Sequence, residues 1–335
     1  MARTRLHWPP ASISWLAGIQ KRIWPNLGTR ELLNAWVPSA GPDGRGMAPT
    51  RIGHIQRELS SKPSPQQTDA IHREVPERDM NGLFLHFQKA AQRLLNLGYC
   101  LQHPGYRRIR RLGGNRDLFR LLNKPWFFNL QVQTVLDVGA NEGQSIVVFR
   151  ELLPQARIFA FEPNPEMVQA LETRFAGAPD IRIVPVGCGS AAGQMSLHVS
   201  KLVAASSFLP ATPKHLQEFP GTEECAAISV RVDRLDSISQ RRGFEGGIAI
   251  KLDVQGTELE VLKGAEGILD RVRAVVCEIN FASLFENQGH LDEVVHFLRL
   301  HGFQLADMGQ PQRSGSSGQA LFADFAFVQA QAGYV

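Results

Sequence analysis

Asp137-Val138-Gly139-Ala140-Asn141-Glu142-Gly143 follows directly on Thr134-Val135-Leu136 and precedes a helical pattern over residues 145–153. A short buried strand, an acid at its end, a glycine-rich turn and an open helix N-terminus form one unit. An α/β sheet uses such a unit to hold a nucleotide-like ligand at its carboxyl edge. Gly139 and Gly143 are expected to leave room for ligand atoms against bare backbone. A second apolar strand, Phe159-Ala160-Phe161, ends in Glu162, an acid placed to accept hydrogen bonds from ribose hydroxyls.

The glycine spacing discriminates between ligands. A dinucleotide fingerprint needs G-x-G-x-x-G, but Asn141 stands at the second glycine's place and Ser145 follows Gly143-Gln144. A phosphate-cradling loop needs Gly-Lys-Ser/Thr, and the chain has Gly143-Gln144-Ser145. A ligand without phosphates fits better, and S-adenosylmethionine is the obvious candidate. A tight turn that binds nothing is the alternative.

Three strings resemble the FkbM family of methyltransferases: residues 135–143 (VLDVGANEG), 159–165 (FAFEPNP) and 250–265 (IKLDVQGTELEVLKGA). The third is the most specific, and the similarity covers about residues 130–308. The resemblance implies a class I methyltransferase fold: a Rossmann-like, mostly parallel seven-stranded sheet with helices on both faces. It also implies S-adenosylmethionine as cofactor and O-methylation of a sugar or natural-product hydroxyl. Asp137, Gly139, Asn141, Gly143, Glu162, Asn164 and Asp253 are the expected cofactor contacts. Gly187 joins them after the third strand, although Pro185, Gly187 and Gly189 replace a more usual Asn, Ala and Ser. Gln255 stands where the family often has Glu.

The net charge of +4 hides an asymmetry. Residues 80–132 carry 9 Lys/Arg against 1 Asp/Glu, whereas residues 133–335 carry 16 against 24. The methyltransferase-like part is therefore acidic and poorly suited to nucleic acid, which wants a basic face. Cys100, Cys188, Cys225 and Cys277 form no C-x-x-C pair, so reduced thiols in a cytoplasmic protein are expected, with no disulfide framework or zinc site. No run has the length of a membrane span, and no signal peptide is visible.

Three regions are expected. Residues 1–79, rich in Pro, Ser, Gly and Gln, read as a poorly ordered extension, either an over-extended start or a transit-like segment. Residues 80–132 read as a basic helical segment. Leu83, Phe87, Ala90, Leu94 and Leu97 recur at helical spacing, followed by Arg107, Arg108, Arg110 and Arg111. These arginines form either a solvated face or a weak docking surface for an anionic carrier or membrane. Residues 133–335 alternate strands and helices as a methyltransferase domain. A long excursion over residues 193–232 is expected to help build the acceptor pocket, with Ser206 and Ser207 in its polar loop. Residues 311–319 read as a loose hairpin connection.

The chemistry is expected at Lys251 and Asp253. A strand buried on both faces should be continuously apolar, yet residues 248–253 (IAIKLD) carry two charges that project to one side. Asp253 ends the strand where donor and acceptor should meet, and is the first choice for base or substrate orienter. Lys251 and Glu278, the latter at the end of the next strand, complete the catalytic set. Gln255 and Glu258, on either side of Gly256, are expected to meet the acceptor together with Ser206 and Ser207. A purely structural Lys–Asp network is the plain alternative. His198 and His215 are alternative bases. Asp253 and Glu278 could ligate a divalent ion, but no local cluster argues for a metal. Two other functions compete: an NAD-dependent oxidoreductase, and a cofactor-binding module without turnover.

Overall fold

The computed structural model describes residues 90, 91, 94 and 97–330. The expected extension at 1–79 and most of the expected helix over 83–97 lie outside the described residues. Residues 90, 91, 94 and 97–102 are helical. Three helices follow, α1 (Pro104–Arg111), α2 (Arg116–Leu122) and α3 (Pro125–Asn129). The alternating part then runs β1 (Val132–Val138), α4 (Gln144–Leu152), β2 (Arg157–Phe161), α5 (Pro165–Arg174), β3 (Ile181–Val184) and β4 (Gly187–Cys188). It continues through β5 (Gly193–Ser200), α6 (Pro213–Glu218), β6 (Glu224–Asp233), α7 (Leu235–Arg242), β7 (Gly247–Leu252) and α8 (Glu258–Lys263). The last elements are β8 (Val272–Asn280), α9 (Leu291–Leu300), β9 (Phe303–Met308), β10 (Gln312–Arg313) and β11 (Ala320–Gln329).

Strands β3, β2, β1, β7 and β8 pair in that order and in parallel; β11 joins β8 antiparallel. Both β9 and the two-residue β10 pair with β11. Seven long strands thus form the class I methyltransferase sheet, and β10 turns the expected loose connection at 311–319 into a paired hairpin. The excursion's β5 and β6 form, with β4 just before it, a separate three-stranded sheet, β4-β6-β5.

Local chemistry explains the elements. Asn164 caps α5, accepting from the Glu166 amide at 3.0 Å, and Pro165 opens the first turn where its missing N–H costs nothing. The central strands read as unbroken apolar runs because helices cover both faces. Val135, Leu136, Ile248 and Ile250 are completely buried.

The described part of the basic segment packs with the sheet. Tyr106, Ile109, Phe119, Leu122 and Phe127 are buried in one cluster with Val135, Ile146, Ala249 and Val328. The charge break expected near residue 132 is therefore not a packing boundary. The arginines of α1 alternate with apolar residues at helical spacing, so one face joins the core while the other keeps the charge.

Candidate active site

Strand register assembles the acids. Asp137 stands opposite Ala160 and Lys251, Lys251 opposite Val276, and Glu278 opposite Asp324. Opposed residues share a face and the period is two. Asp137, Glu162, Lys251, Asp253, Glu278 and Asp324 therefore project to one side of the sheet at its carboxyl edge. A cleft of about 310 Å³ opens there, its wall formed by Gly139, Asn141, Glu162, Asn164, Lys251 and Asp253 among others.

The glycine-rich turn is shaped by the chain's own packing. Gly139 has φ of +81°, and a Cβ there would lie 1.9 Å from the Asp253 carbonyl oxygen. Gly143 also has φ of +81°, and a Cβ there would sit 2.5 Å from the Phe175 ring. The room expected for ligand atoms at these two positions is filled by protein: β7's end in one case, α5's end in the other. Gly143 does not line the cleft, whereas Gly139 does.

Glu162 fastens this turn to α5. One carboxylate oxygen accepts from the Asn141 amide at 2.9 Å, the other from the Asn164 amide at 2.8 Å. Burial raises its pKa, and these two amides oppose the rise. Each oxygen keeps a further lone pair, and Glu162 lines the cleft. Asp137 is completely buried behind the wall. Its Oδ2 accepts from Ser145 Oγ at 2.5 Å, while Oδ1 lies 3.9 Å from Lys251 Nζ without a hydrogen bond. Burial raises its pKa against the pull of Lys251 and Ser145. The Asn141 side-chain oxygen is likewise buried without a partner.

Lys251 reaches Asp253 Oδ2 at 3.0 Å. Burial opposes its charge, but Asp253 and Asp137 outweigh it and hold the ammonium above the ordinary lysine range. Asp253 keeps about a third of its side chain exposed. Its other oxygen accepts from the Gln255 amide at 2.8 Å, and that amide also reaches Glu278 at 3.1 Å. Gln255 has φ of +56°, a strained backbone for a residue with a side chain. Two neighbours hold it there. Ser207 Oγ donates to the Gln255 carbonyl at 2.7 Å, and buried Glu258 accepts from the Val254 and Gly256 amides at 3.1 Å.

The four expected acceptor residues are thus divided. Ser206, Ser207 and Gln255 line the cleft, while Glu258 lies behind it and organises the loop. Ser206 Oγ accepts from the Ser200 amide at 3.1 Å. Gly187 lines the cleft against Phe208. Glu278 lies beside the cleft, its pKa well above the carboxylate range through burial and the neighbouring Asp253, Asp324 and Glu258. Asp324 did not stand out in the sequence. Burial and Asp253 push it up to about 6, with Lys251 opposing. Only its pairing opposite Glu278 brings it here. Asn115 is a second residue without a sequence signal; it caps α2 and lines the cleft from the basic segment. His198 pairs with Glu224 at 2.9 Å, on the face of β5 opposite cleft-lining Leu197. His215 is buried away from the cleft.

The donor set suits a ligand rich in hydroxyls and positive charge. Among the described lining residues Lys251 is the sole cation, and two carboxylates already claim it. Nothing among these lining residues is left to neutralise a pyrophosphate, and the Glu162 and Asp253 carboxylates can accept from donors. Glu162, Asn141 and Asn164 would hold the nucleoside part of S-adenosylmethionine. No group of three or more metal-ligating side chains occurs among the described residues.

Comparison with known proteins agrees with this geometry. The Methyltransferase FkbM domain matches residues 137–305. The chain is 28% identical over 190 residues to the 2-O-methyltransferase NoeI of Sinorhizobium fredii, covering 55% of this chain and 76% of that protein. It is 30% identical over 176 residues to the hexuronic acid methyltransferase AglP of Haloferax volcanii, covering 52% and 65%. A third relative, the 31-O-demethyl-FK506 methyltransferase FkbM of Streptomyces tacrolimicus, is 28% identical over 206 residues, covering 54% and 76%. With that domain spanning half its length, and with an acid-lined cleft lacking phosphate-binding groups at the sheet's carboxyl edge, the chain belongs to the FkbM methyltransferase family and is an S-adenosylmethionine-dependent methyltransferase.

Proposed function

We propose that this chain methylates a hydroxyl oxygen of a sugar unit. The observation that carries the reading is Asp253: a carboxylate open to the cleft, fixed by Lys251 on one oxygen and by Gln255 on the other. It lies on the sheet face that also carries Glu162 and Asp137. When bound, S-adenosylmethionine supplies an electrophilic methyl group on a sulfonium. The acceptor oxygen must then lie about 3 Å from that carbon and opposite the sulfur, so orientation provides much of the acceleration. Its proton must leave as the bond forms, and a carboxylate within hydrogen-bond reach can take it. Lys251, held charged, cannot be that base; its bond at 3.0 Å orients Asp253. The relative named for 2-O-methylation supports an oxygen acceptor, and the one named for a hexuronic acid supports a sugar unit.

The test is incubation with methyl-tritiated S-adenosylmethionine and a panel of neutral sugars, amino sugars, uronic acids and oligosaccharides. Label should enter a sugar as a base-stable ether. Calorimetry on the same protein should show binding of S-adenosylmethionine. Glu162→Gln should weaken it by roughly tenfold or more, the loss of a charge-assisted hydrogen bond. A preference for NAD, or label that appears only on nitrogen or carboxyl oxygen, would sink the proposal.

A further inference from the structure

The cleft leaves unused two surface stripes that precede it in the chain. Leu94, Leu97 and Leu101 are 69%, 57% and 69% exposed. Each is helical, and their spacings of three and four suit one apolar stripe. The same helical stretch turns Cys100 into the core, and Arg120 lies over the Tyr99 ring. The leucines are therefore the outer face of an anchored helix. Immediately after, α1 buries Tyr106 and Ile109 and exposes Arg107, Arg110 and Arg111. Arg108 pairs with Glu151 at 3.1 Å; the other three make no ion pair with a described residue. Leu112, 52% exposed, closes the series.

The end of α1 is tied to the cleft. The Arg174 guanidinium donates to the Leu112 carbonyl at 2.5 Å and to the Glu142 carbonyl inside the glycine-rich turn. Asn115, three residues beyond Leu112, lines the cleft itself.

We propose that these exposed leucines and arginines together dock the enzyme on an anionic lipid bilayer. A soluble polyanion would call for the arginines alone and would leave three leucines in water. A neutral partner would call for the leucines alone and would leave three arginines without counter-charge. An interfacial helix uses both together: apolar side chains enter the headgroup boundary while arginines meet lipid phosphates. The assignment does not depend on the identity of the acceptor.

The experiment is cosedimentation of the full chain with vesicles of phosphatidylcholine alone, or of phosphatidylcholine with phosphatidylglycerol. Binding should occur on the anionic vesicles, and raised salt should weaken it by screening. The triple variant Arg107→Glu, Arg110→Glu, Arg111→Glu should lower partitioning by roughly 10²-fold or more, since each basic residue near an anionic surface contributes about a factor of five. Leu94→Ser, Leu97→Ser, Leu101→Ser should also weaken it while leaving charge untouched. All six residues are exposed, so both variants should keep the wild-type melting temperature and S-adenosylmethionine affinity. Absence of binding, equal binding to neutral vesicles, or unchanged binding of the arginine variant overturns the proposal. If the leucine variant binds like wild type and soluble dextran sulfate displaces both, the face is a polyanion site and the bilayer assignment falls.

Discussion

Asp253 is the residue on which chemistry and packing compete. Its carboxylate is oriented by Lys251 and Gln255, and its backbone amide donates to the Val138 carbonyl at 3.1 Å. Asp253→Asn keeps the shape and removes the charge. Turnover on the acceptor should fall by about 10²–10⁴-fold, as expected for loss of a general base, with cofactor affinity by calorimetry much less affected. Normal turnover in the variant would leave Asp253 a structural partner of Lys251. Glu258 answers to pH instead. Burial pushes its pKa to about 7, against the pull of the loop amides it binds. Its folded value is thus above its unfolded value, and the native state holds the extra proton. The stability this provides is present below about pH 4.5 and is lost as pH rises through about 7. Glu258→Gln should flatten that part of the stability curve in denaturant titrations between pH 5 and 8. An unchanged slope would mean that Glu258 is ionised throughout.

The excursion is an element held by a small apolar seat. Phe285, Leu284 and Leu321 form its base, with Leu209 and Phe219 packed against them. Gln288 ties the base together, accepting from the Leu284 and Phe285 amides at 2.9 Å. His215 lies inside, 4.8 Å between ring centres from Phe285 and 5.2 Å from Phe219, with neither ring nitrogen hydrogen-bonded. Burial lowers its pKa. A histidine whose folded value is depressed takes up its proton more readily when unfolded, so stability falls as pH drops below about 6.5. His215→Leu removes both the unpaired polar group and that proton. It should match or exceed wild-type stability at pH 7.5, with the difference widening toward pH 5 in thermal melts. A difference that narrows on acidification would contradict this. As a candidate base, His215 was legible only as a residue type. Phe219 lies one turn away, but Phe285, the other ring it meets, comes from a distant segment and has no signature in the chain near residue 215.

At the scale of the molecule, the described helices before β1 are part of the sheet's own core. Tyr106, Ile109, Phe119, Leu122 and Phe127 are all at most 2% exposed. At about 1.5–3 kcal/mol for each such side chain, removing them costs about as much as a whole domain's stability of 5–15 kcal/mol. A chain beginning at residue 133 should therefore fail to fold, as read by circular dichroism and calorimetry. A chain beginning at Met80 is expected to keep its melting temperature and cofactor affinity. If it loses either, the tryptophan-rich segment before it packs on the domain.

Sheet class, strand ends and the acids at them could be read from the chain because each is a local pattern: apolar runs of strand length, a glycine turn, an acid at the last position. Asn164 as a helix cap was readable for the same reason, since a cap, a proline and an acid within three residues leave the backbone little choice. Register is a different kind of information. Which residue of β8 stands beside Lys251, and that Asp324 returns to face Glu278, depend on pairings between segments dozens of residues apart. Pairing is set by how whole faces pack rather than by any local pattern. The same holds for Gly139 and Gly143, whose need for glycine comes from Asp253 and Phe175 arriving from elsewhere in the chain. It holds for Glu258 too, a helix-start acid by sequence and a loop clamp once folded. Long-range packing turned a list of strand-end acids into one face with a single lysine among them, and so separated the residues that meet the cleft from those that only hold its walls.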